Sequence, residues 1–236
     1  MRGEARDALV RFRRMVIPDL MRHLLDAEEQ MALRTRIPKV LALTGRQEAA
    51  EALLRSLHRC DYHLDYAVLK ALNRMRVNYP KIVFDRDRVI RAVHTEREAH
   101  DRLKQIEGWL EANAAGGPVS RLLMRAVSER QEQRLERIFR LVGLIYSPHD
   151  IYAVYYNCQV RPALRASAIE FLDNLLEADV KGLVMPLLED TRRERTAGIS
   201  RHAVFETLLS PKDPWISAIA HEFVAREVTD EYVNAG

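Results

Sequence analysis

The sequence predicts an all-α protein, an α-solenoid of stacked helix pairs with a long antiparallel helical hairpin inserted into it. Three observations favour this fold class. Apolar residues recur every three or four positions along almost the whole 236-residue chain, which is the period of an amphipathic helix. Nine glycines and nine prolines are too few for a turn-rich all-β fold. Asp26 and Asp61 lie in equivalent turns 35 residues apart, a spacing typical of helix-pair repeats.

The first two helix pairs are expected in the N-terminal third of the chain. Pro18 kinks the first helix or begins its inner turn. Asp26 and Asp61 lie between paired helices, where an aspartate side chain caps the next helix by accepting its free N–H groups. Gly45 closes the second helix of the first pair. The four helices are expected over about residues 17–25, 28–43, 47–57 and 62–76.

The middle of the chain departs from the repeat. Residues 81–84 form a short β-branched run after Pro80 and are predicted to be an extended connector. Two long helices follow, over residues 86–110 and 119–145, and the Gly- and Pro-containing stretch 113–118 joins them. We expect an antiparallel hairpin that packs on the solenoid or projects toward a partner. Apolar residues at coiled-coil spacing on the second helix support it: Leu135, Ile138, Val142 and Ile145.

The repeat pattern returns after the hairpin. Residues 184–190 resemble the first turn region, and a last helix pair is expected over about 192–209 and 214–227. Stacked pairs bury the apolar faces that each pair cannot bury alone. The sequence therefore predicts one continuous solenoid domain, and an irregular helical bundle is the alternative architecture. Its segments are N-terminal repeats over 1–80, the hairpin over 86–146 and C-terminal repeats over 147–236. The matching apolar positions are Leu64, Leu69 and Leu72 in one repeat and Leu164, Ile169 and Leu172 in the other.

Composition limits the classes of partner and the compartment. The net charge is only +3, from 37 basic and 34 acidic residues, which is not the strong basic field of a nucleic-acid protein. Most of the basic residues are arginines, for which pairing with glutamate on exposed helix faces is the simplest interpretation. No apolar run is long enough to span a membrane, and the charged start 1–4 predicts no secretory signal. Two cysteines, Cys60 and Cys158, indicate a reducing compartment and hence a cytoplasmic protein.

Histidines and carboxylates fall in two places that metal sites use. His58, Cys60 and His63 offer zinc ligands, but their spacing matches no structural zinc site. Glu96 and His100 lie four apart and share one face of a long helix, which we predict to be a solvated face, because a metal would need ligands from facing helices as well. The sequence predicts no metal and no cofactor.

No pattern points to catalysis. His221 and Glu222 begin like a zinc-protease helix, but Ala225 stands where the second histidine is needed. Asp85 and Asp87 flank the start of a long helix, where carboxylates act as caps and favour the helix dipole. No glycine-rich phosphate loop or nucleophile elbow is present. We therefore predict no catalytic residue and no enzyme activity.

Tyrosines are concentrated just after the predicted hairpin. Tyr152 and Tyr156 lie four apart on one helix and are close enough to touch. Packing in the core or along a helix ridge is one interpretation of the cluster, and a ligand groove is the other, because tyrosine offers contact area at low entropic cost. The cluster consists of Tyr146, Tyr152, Tyr155 and Tyr156, with Phe171 in the next repeat.

Several stretches together resemble one set of bacterial proteins. They are IPKVLALTG at 37–45, EALL at 51–54, Asp61, YAVLKALNRMR at 66–76, FDR at 84–86, AIEFLDNLL at 168–176, LLED at 187–190 and DPW at 213–215. The chain is similar to the HEAT-repeat regions fused to ATP/ADP-translocase-like transporters of the major facilitator type. The resemblance implies a cytoplasmic HEAT segment next to an amino-terminal transporter, often with a carboxy-terminal cyclic-nucleotide-binding domain. Only the solenoid role carries over, because no residue of a transport pathway is present.

The expected function is that of a non-catalytic scaffold, which binds another protein or neighbouring domains of a parent chain. The resemblance implies that it is a transporter's regulatory segment at the cytoplasmic face of the membrane. The second helices of repeat pairs usually line the concave binding surface. Exposed candidates for protein binding there are Asp65, Lys70, Arg74, Arg165 and Glu170.

Two other functions stay open at this stage. The first alternative is a HEAT-like DNA-binding protein or DNA glycosylase, which the arginine content favours and the interleaved acidic residues oppose. A repeat-type enzyme such as a bilin lyase ranks last, because no site residues for it are found.

Overall fold

Helices make up all the regular secondary structure that the computed structural model describes, which covers residues 16–113, 116–188 and 199–234, with side chains to residue 225. No strand occurs in these ranges, so the all-α class is confirmed, while the solenoid arrangement stays a prediction. The helices are α1 (residues 16–25), α2 (Met31–Arg34), α3 (Ile37–Leu43), α4 (Gln47–Ser56), α5 (Tyr62–Asn78), α6 (Arg86–Asn113), α7 (Pro118–Ile145), α8 (Pro148–Val160), the 3-10 turn η1 (Pro162–Leu164), α9 (Arg165–Leu175), α10 (Ala178–Leu188), α11 (Arg201–Leu208) and α12 (Pro214–Asn234).

The chain divides into two units. The divisions fall between His94 and Thr95, between Glu136 and Arg137, and between Lys181 and Gly182. Unit 1 holds α1 to α5, the start of α6, the end of α7, α8, α9 and the first residues of α10. Unit 2 holds the remainder of α6, α7 and α10, together with α11 and α12. The predicted segmentation into 1–80, 86–146 and 147–236 stays a prediction.

Local capping signals determine several helix boundaries in unit 1. The Asp61 side chain accepts a hydrogen bond from the Leu64 N–H at 3.0 Å, which confirms it as the cap of α5. Gly45 has a φ of +62°, and a Cβ there would lie 2.5 Å from the Tyr79 ring. Glycine adopts this left-handed conformation without strain, and it leaves room for the Tyr79 ring. Such a residue commonly ends a helix. Its predicted role in closing the preceding helix is therefore confirmed.

The first helix pair differs from the prediction. A single helix over 28–43 is wrong, because the segment is divided into α2 and α3 at Thr35 and Arg36. Pro38 stands in the first turn of α3, where its missing N–H costs nothing, but its ring opposes a helix continuing from α2. Asp26 does not cap α2: its carboxylate accepts from the Glu28 N–H within the preceding turn.

The connector between α5 and α6 is neither helix nor strand over residues 82–85, and its predicted extended conformation stays a prediction. The Gln47 side chain pairs with both backbone groups of Val83, accepting from its N–H at 3.0 Å and donating to its C=O at 2.7 Å. Ile82 beside it is buried. Asp85 then accepts from the Arg88 N–H at 3.0 Å, which confirms that it caps α6. The side chains of Gln47 and Asp85 thus supply hydrogen bonds to backbone groups that no helix or strand pairs in this segment.

Unit 2 is built around the antiparallel portions of α6 and α7. Gln131 of α7 donates to the Leu103 carbonyl and to the Glu107 carboxylate, while Arg134 donates to Glu96 at 2.6 Å. Residue numbers therefore rise along α6 as they fall along α7. α11 and α12 supply the rest of the core, where the Trp109 and Phe205 rings meet edge to face at 5.7 Å. Fully buried members of this core include Ile106, Leu110, Leu123 and Val127.

A proline inside α10 has a compensating partner. Pro186 has no N–H to give to the Gly182 carbonyl four residues earlier. Arg97 of α6 donates to that carbonyl at 2.8 Å and to the Leu183 carbonyl at 2.7 Å. The guanidinium therefore replaces the missing backbone donor and ties α6 to α10 within unit 2.

The end of the predicted repeat pattern is described only in part. The predicted turn at 187–190 and the helix over 192–209 lie partly outside the described residues. α11 covers the described portion of that helix, and α12 corresponds to the helix predicted over 214–227.

Candidate interaction surface

One of the five predicted binding residues is not on the surface. Asp65 is only 4% exposed, so its expected exposure is wrong. Both of its carboxylate oxygens accept from the His58 N–H, at 3.1 and 3.0 Å. His58 has a φ of +65°, and this left-handed conformation belongs to the turn whose N–H groups bind the carboxylate. Through these hydrogen bonds, the buried Asp65 side chain of α5 holds the turn between α4 and α5 in place.

The buried carboxylate also faces a buried cation. Arg137 of α7 lies 3.7 Å from Asp65, and its side chain is 1% exposed. Its guanidinium stands 4.8 Å from the centroid of the Tyr62 ring and donates to the Tyr62 carbonyl at 3.3 Å. Sequence reasoning missed Arg137 because its partner lies far away along the chain. The cluster is structural.

Lys70 and Arg74 are exposed on one face of α5, as predicted. The Lys70 ammonium lies 5.4 Å from the centroid of the Tyr66 ring, and the Arg140 guanidinium lies 5.9 Å from the same centroid. Such cation–π contacts hold long basic side chains in place while their charges remain hydrated. Neither Lys70 nor Arg74 forms an ion pair within the described ranges. This side of α5 is therefore basic.

The two predicted residues of α9 differ in exposure. Arg165 is half-buried and donates to the Cys158 carbonyl at 3.0 Å, which satisfies a carbonyl near the end of α8. Glu170 is exposed. The structure thus leaves Lys70, Arg74 and Glu170 exposed, gives Arg165 a structural contact and buries Asp65.

The exposed tyrosines form a row along α8. Tyr152 is 54% exposed, Tyr156 40% and Val160 56%, and their spacing of four residues keeps them on one side of the helix. Tyr152 contacts Tyr155 rather than Tyr156, with ring centroids 6.4 Å apart. Tyr155 is half-buried and also packs on Phe139 at 5.3 Å. Ridge packing therefore accounts for Tyr155 but leaves the outer row without a described neighbour that covers it.

The surface of α8 carries no charge over residues 151–160. In a chain whose residues are 30% charged, ten consecutive uncharged residues that include three exposed large apolar or aromatic side chains are unusual. α9 packs against α8 and adds exposed Phe171, and the turn η1 between these two helices adds exposed Leu164. We call these five exposed residues the α8–α9 face: Tyr152, Tyr156, Val160, Leu164 and Phe171.

Tyr146, the fourth tyrosine of the sequence cluster, has a structural role. Its hydroxyl accepts from the Glu177 N–H at 3.0 Å, and its ring lies 5.9 Å from the Arg86 guanidinium. Arg86 also binds Glu177 and Asp179, each at 3.0 Å. The hydrogen bond from the Val180 N–H, followed by Arg86, lowers the pKa of Asp179. These contacts join the ends of α6, α7 and α10 in unit 1.

The candidate metal ligands are not brought together into a metal site in the described part of the chain. No three His, Cys, Asp or Glu side chains in the described part of the chain are grouped so that they could hold a metal ion. The solvated face predicted for Glu96 and His100 is wrong: Glu96 is fully buried against Arg134, and His100 is 9% exposed. Burial, followed by the nearby Asp65 carboxylate, raises the pKa of the Cys60 thiol to about 11. Such a thiol is protonated at neutral pH and is a poor nucleophile or metal ligand.

Comparison with known proteins finds no relative of this chain. No family model matches the sequence, and neither a curated protein nor a solved structure matches it. Among the described helices, none combines the length and the apolar character that crossing a bilayer requires. The α8–α9 face is accordingly interpreted from its own chemistry.

Proposed function

We propose that this chain is a non-catalytic helical scaffold that binds another protein through the α8–α9 face. The observation that carries the proposal is the uncharged stretch 151–160 of α8, on which Tyr152, Tyr156 and Val160 are exposed. The central regions of protein interfaces are depleted in charged residues and enriched in aromatic ones. Tyrosine is also frequent among the few residues that dominate binding energy.

The sequence resemblance supports the same function and suggests where the partner lies. In a HEAT-repeat region fused to a transporter, the partner of the solenoid is a neighbouring domain of the parent chain. The proposed role here is to couple or regulate such a domain at the cytoplasmic side of a membrane. A partner on a separate chain is the other form of the same proposal.

Co-purification with surface variants tests the proposal. The tagged chain is isolated from its own cells as wild type, as Tyr152→Ala/Tyr156→Ala and as Val83→Ala, a matched control because Val83 is 72% exposed in the same unit. We expect at least one protein or parent-chain fragment to bind the wild type and the control equally and to bind the double variant about tenfold less tightly. Tenfold corresponds to about 1.4 kcal/mol, a typical loss for interface tyrosines.

Circular dichroism melting provides the folding control for these variants. Both tyrosines are exposed, so the double variant should melt within a few degrees of the wild type. If every binding partner is retained by the folded double variant, the α8–α9 face is not the binding surface and the proposal is wrong.

The DNA-binding alternative has less support from the contacts of the arginines. Several arginines bind carboxylates of the chain, such as Arg125 with Glu129 at 2.8 Å and Arg130 with Asp213 at 2.9 Å. Arginines that are paired in this way are less available to bind phosphates. Fluorescence anisotropy with a DNA duplex at increasing salt tests it directly. We expect weak binding without sequence preference, whereas tight binding that falls steeply with salt would favour a nucleic-acid protein.

A further inference from the structure

Free cations lie near both ends of the apolar row of α8. Arg161 follows the last residue of α8, is exposed and stands 5.6 Å from the centroid of the Tyr156 ring. At the other end, a Cβ on Gly143 would lie 3.5 Å from the Cα of Pro148, the first residue of α8, and 3.9 Å from Asn73 of α5. The exposed Arg74 follows Asn73 directly. α5 and α8 also contact each other.

These cations have no carboxylate partner among the residues that the structure describes. Within the described part of the protein, Lys70, Arg74 and Arg161 form no ion pair, whereas other arginines such as Arg86 and Arg97 do. The acidic side chains nearby are partly occupied, since Asp150 lies beside His149 at 3.4 Å and Asp173 binds Lys181 at 2.6 Å. Glu170 remains as one exposed carboxylate against three exposed cations. The surroundings of the α8–α9 face are therefore positive.

We infer that the α8–α9 face binds an acidic protein segment, whose apolar side chains cover Tyr152, Tyr156 and Val160 and whose carboxylates meet Arg74 and Arg161. This inference rests on the proposed function and specifies the chemistry of its partner. The distance along α8 from Pro148 to Arg161 is about 20 Å at 1.5 Å per residue. The apolar row from Tyr152 to Val160 spans about 12 Å at the same rise. The partner segment thus carries an apolar stretch of about 12 Å, with acidic residues about 20 Å apart at its two ends.

Charge and apolar contact contribute differently to such binding. The apolar contacts at the centre supply most of the affinity. The cations at the rim accelerate encounter and exclude basic segments, and salt weakens this effect. Two kinds of substitution therefore separate the contributions.

Selection from a displayed library of random 16-residue peptides tests the inference on the purified full chain. Enriched peptides are synthesised, and their affinities are measured by anisotropy for four proteins. These are the wild type, Tyr152→Ala/Tyr156→Ala, Arg74→Glu/Arg161→Glu and the control Arg102→Glu/Arg121→Glu. Arg102 and Arg121 are exposed in unit 2, so the control carries the same change of net charge in the unit that does not contain α8.

We expect enriched peptides that combine apolar residues with net negative charge. Their affinity should fall about tenfold or more in the tyrosine variant and in the Arg74→Glu/Arg161→Glu variant, and should stay within about twofold in the control. Raising the salt from 50 to 300 mM should weaken binding to the wild type more than binding to the Arg74→Glu/Arg161→Glu variant.

Two other results would overturn the inference, and they differ in what they leave standing. Neutral or basic peptides that depend on the tyrosines, or acidic ones that ignore the reversal at Arg74 and Arg161, would reject the acidic partner and leave the proposed function intact. Enrichment of no sequence above background, or of peptides that bind all four proteins equally, would reject peptide docking on this face. The co-purification experiment would then decide on the proposed function by itself.

Discussion

At the scale of single residues, the most consequential contact is the buried pair of Asp65 and Arg137. A buried ion pair gains little over an apolar pair, because both ions lose their hydration. Removing one partner is different, since it leaves an uncompensated charge in the interior. When Arg137 is removed, the Asp65 carboxylate keeps its hydrogen bonds from the His58 N–H but loses its buried cation. Arg137 is therefore the partner whose loss is best measured.

Arg137→Met is expected to lower the free energy of unfolding by about 3–5 kcal/mol, because it leaves the Asp65 carboxylate buried beside an apolar side chain. Urea unfolding followed by circular dichroism measures this. Arg102→Met, at an exposed site, should stay within about 0.5 kcal/mol of the wild type. Adding Asp65→Asn to Arg137→Met should recover part of the loss. Equal stability of Arg137→Met and wild type would show that the pair is not coupled.

The Cys60 thiol gives a second prediction at this scale. With a pKa of about 11, its thiolate is scarce at pH 8, so alkylation by iodoacetamide should be about a hundredfold slower than for a thiol of pKa 9. Mass mapping of the labelled peptides follows Cys60 separately from Cys158. In 8 M urea the protection should disappear. Fast labelling of Cys60 in the folded protein would contradict the burial described for it.

The Asp101 carboxyl group makes the stability of the fold depend on pH. Partial burial raises the pKa of this carboxyl, but the hydrogen bond from His100 and the charge of Arg97 outweigh burial and lower the pKa. A lowered pKa in the folded state adds stability above the unfolded pKa, and this stability is lost as the pH falls through the folded value. Asp101→Asn should therefore cost stability at pH 6 and little at pH 2. Unfolding curves of both proteins across this range measure the difference, and parallel pH profiles would reject it.

At the scale of elements, α10 shows how one side chain supports an irregular helix. Pro186 removes a backbone donor, and Arg97 supplies a replacement to the Gly182 and Leu183 carbonyls. Helix stability here depends on a residue of another helix rather than on local propensity. A cycle of substitutions measures that dependence.

Arg97→Met should cost about 1–2 kcal/mol of unfolding free energy, because two carbonyls lose their donor. In a Pro186→Ala background the cost should be smaller, because the restored N–H of residue 186 takes over the Gly182 carbonyl. The experiment compares the four proteins by urea unfolding. Strictly additive effects would mean that Arg97 does not compensate for the proline.

The scale of elements also shows why sequence reasoning succeeded in some places and failed in others. Asp61, Gly45 and Asp85 were predicted correctly because a cap depends on residues within one turn. Helix boundaries marked by such signals, as in α4 and α5, were also close. The break between α2 and α3 was missed because the surrounding apolar pattern continued through it.

Long-range pairing explains the errors at the candidate site. Asp65 and Glu96 look like surface residues in the sequence, but each is buried against an arginine of α7 that lies far away along the chain. Periodicity alone cannot show that a charged position has a buried partner. The tyrosine row had the opposite difficulty: its residues were noticed, but only the structure shows that Tyr155 packs inward while Tyr152 and Tyr156 stay exposed.

At the scale of the whole molecule, α6 and α7 each contribute residues to both units. A helix is a continuous ladder of hydrogen bonds, and its formation is cooperative. Destabilising one unit should therefore also loosen helices that the other unit uses. Cooperativity across the chain can be tested without any knowledge of the arrangement of the units.

Leu110→Ala, in the core of unit 2, should lower stability by about 2–5 kcal/mol, because it leaves a cavity. Hydrogen-exchange mass spectrometry then follows α5, which belongs entirely to unit 1. We expect the slowest amides of α5 to lose protection together with those of α12. Loss of protection in unit 2 alone would show that the two units unfold independently.

The alternation of the two units along the chain has a consequence for how the protein is made. The chain supplies residues to unit 1, then to unit 2, then to unit 1 again and finally to unit 2. Each unit is thus assembled from two separate stretches, so no single cut yields either one as an intact fragment. During translation, the helices up to residue 94 must wait until residues 137–181 have left the ribosome. A nascent chain that stalls before residues 137–181 have emerged exposes the apolar surface that these residues would cover. We expect chaperones to bind most strongly to such a chain.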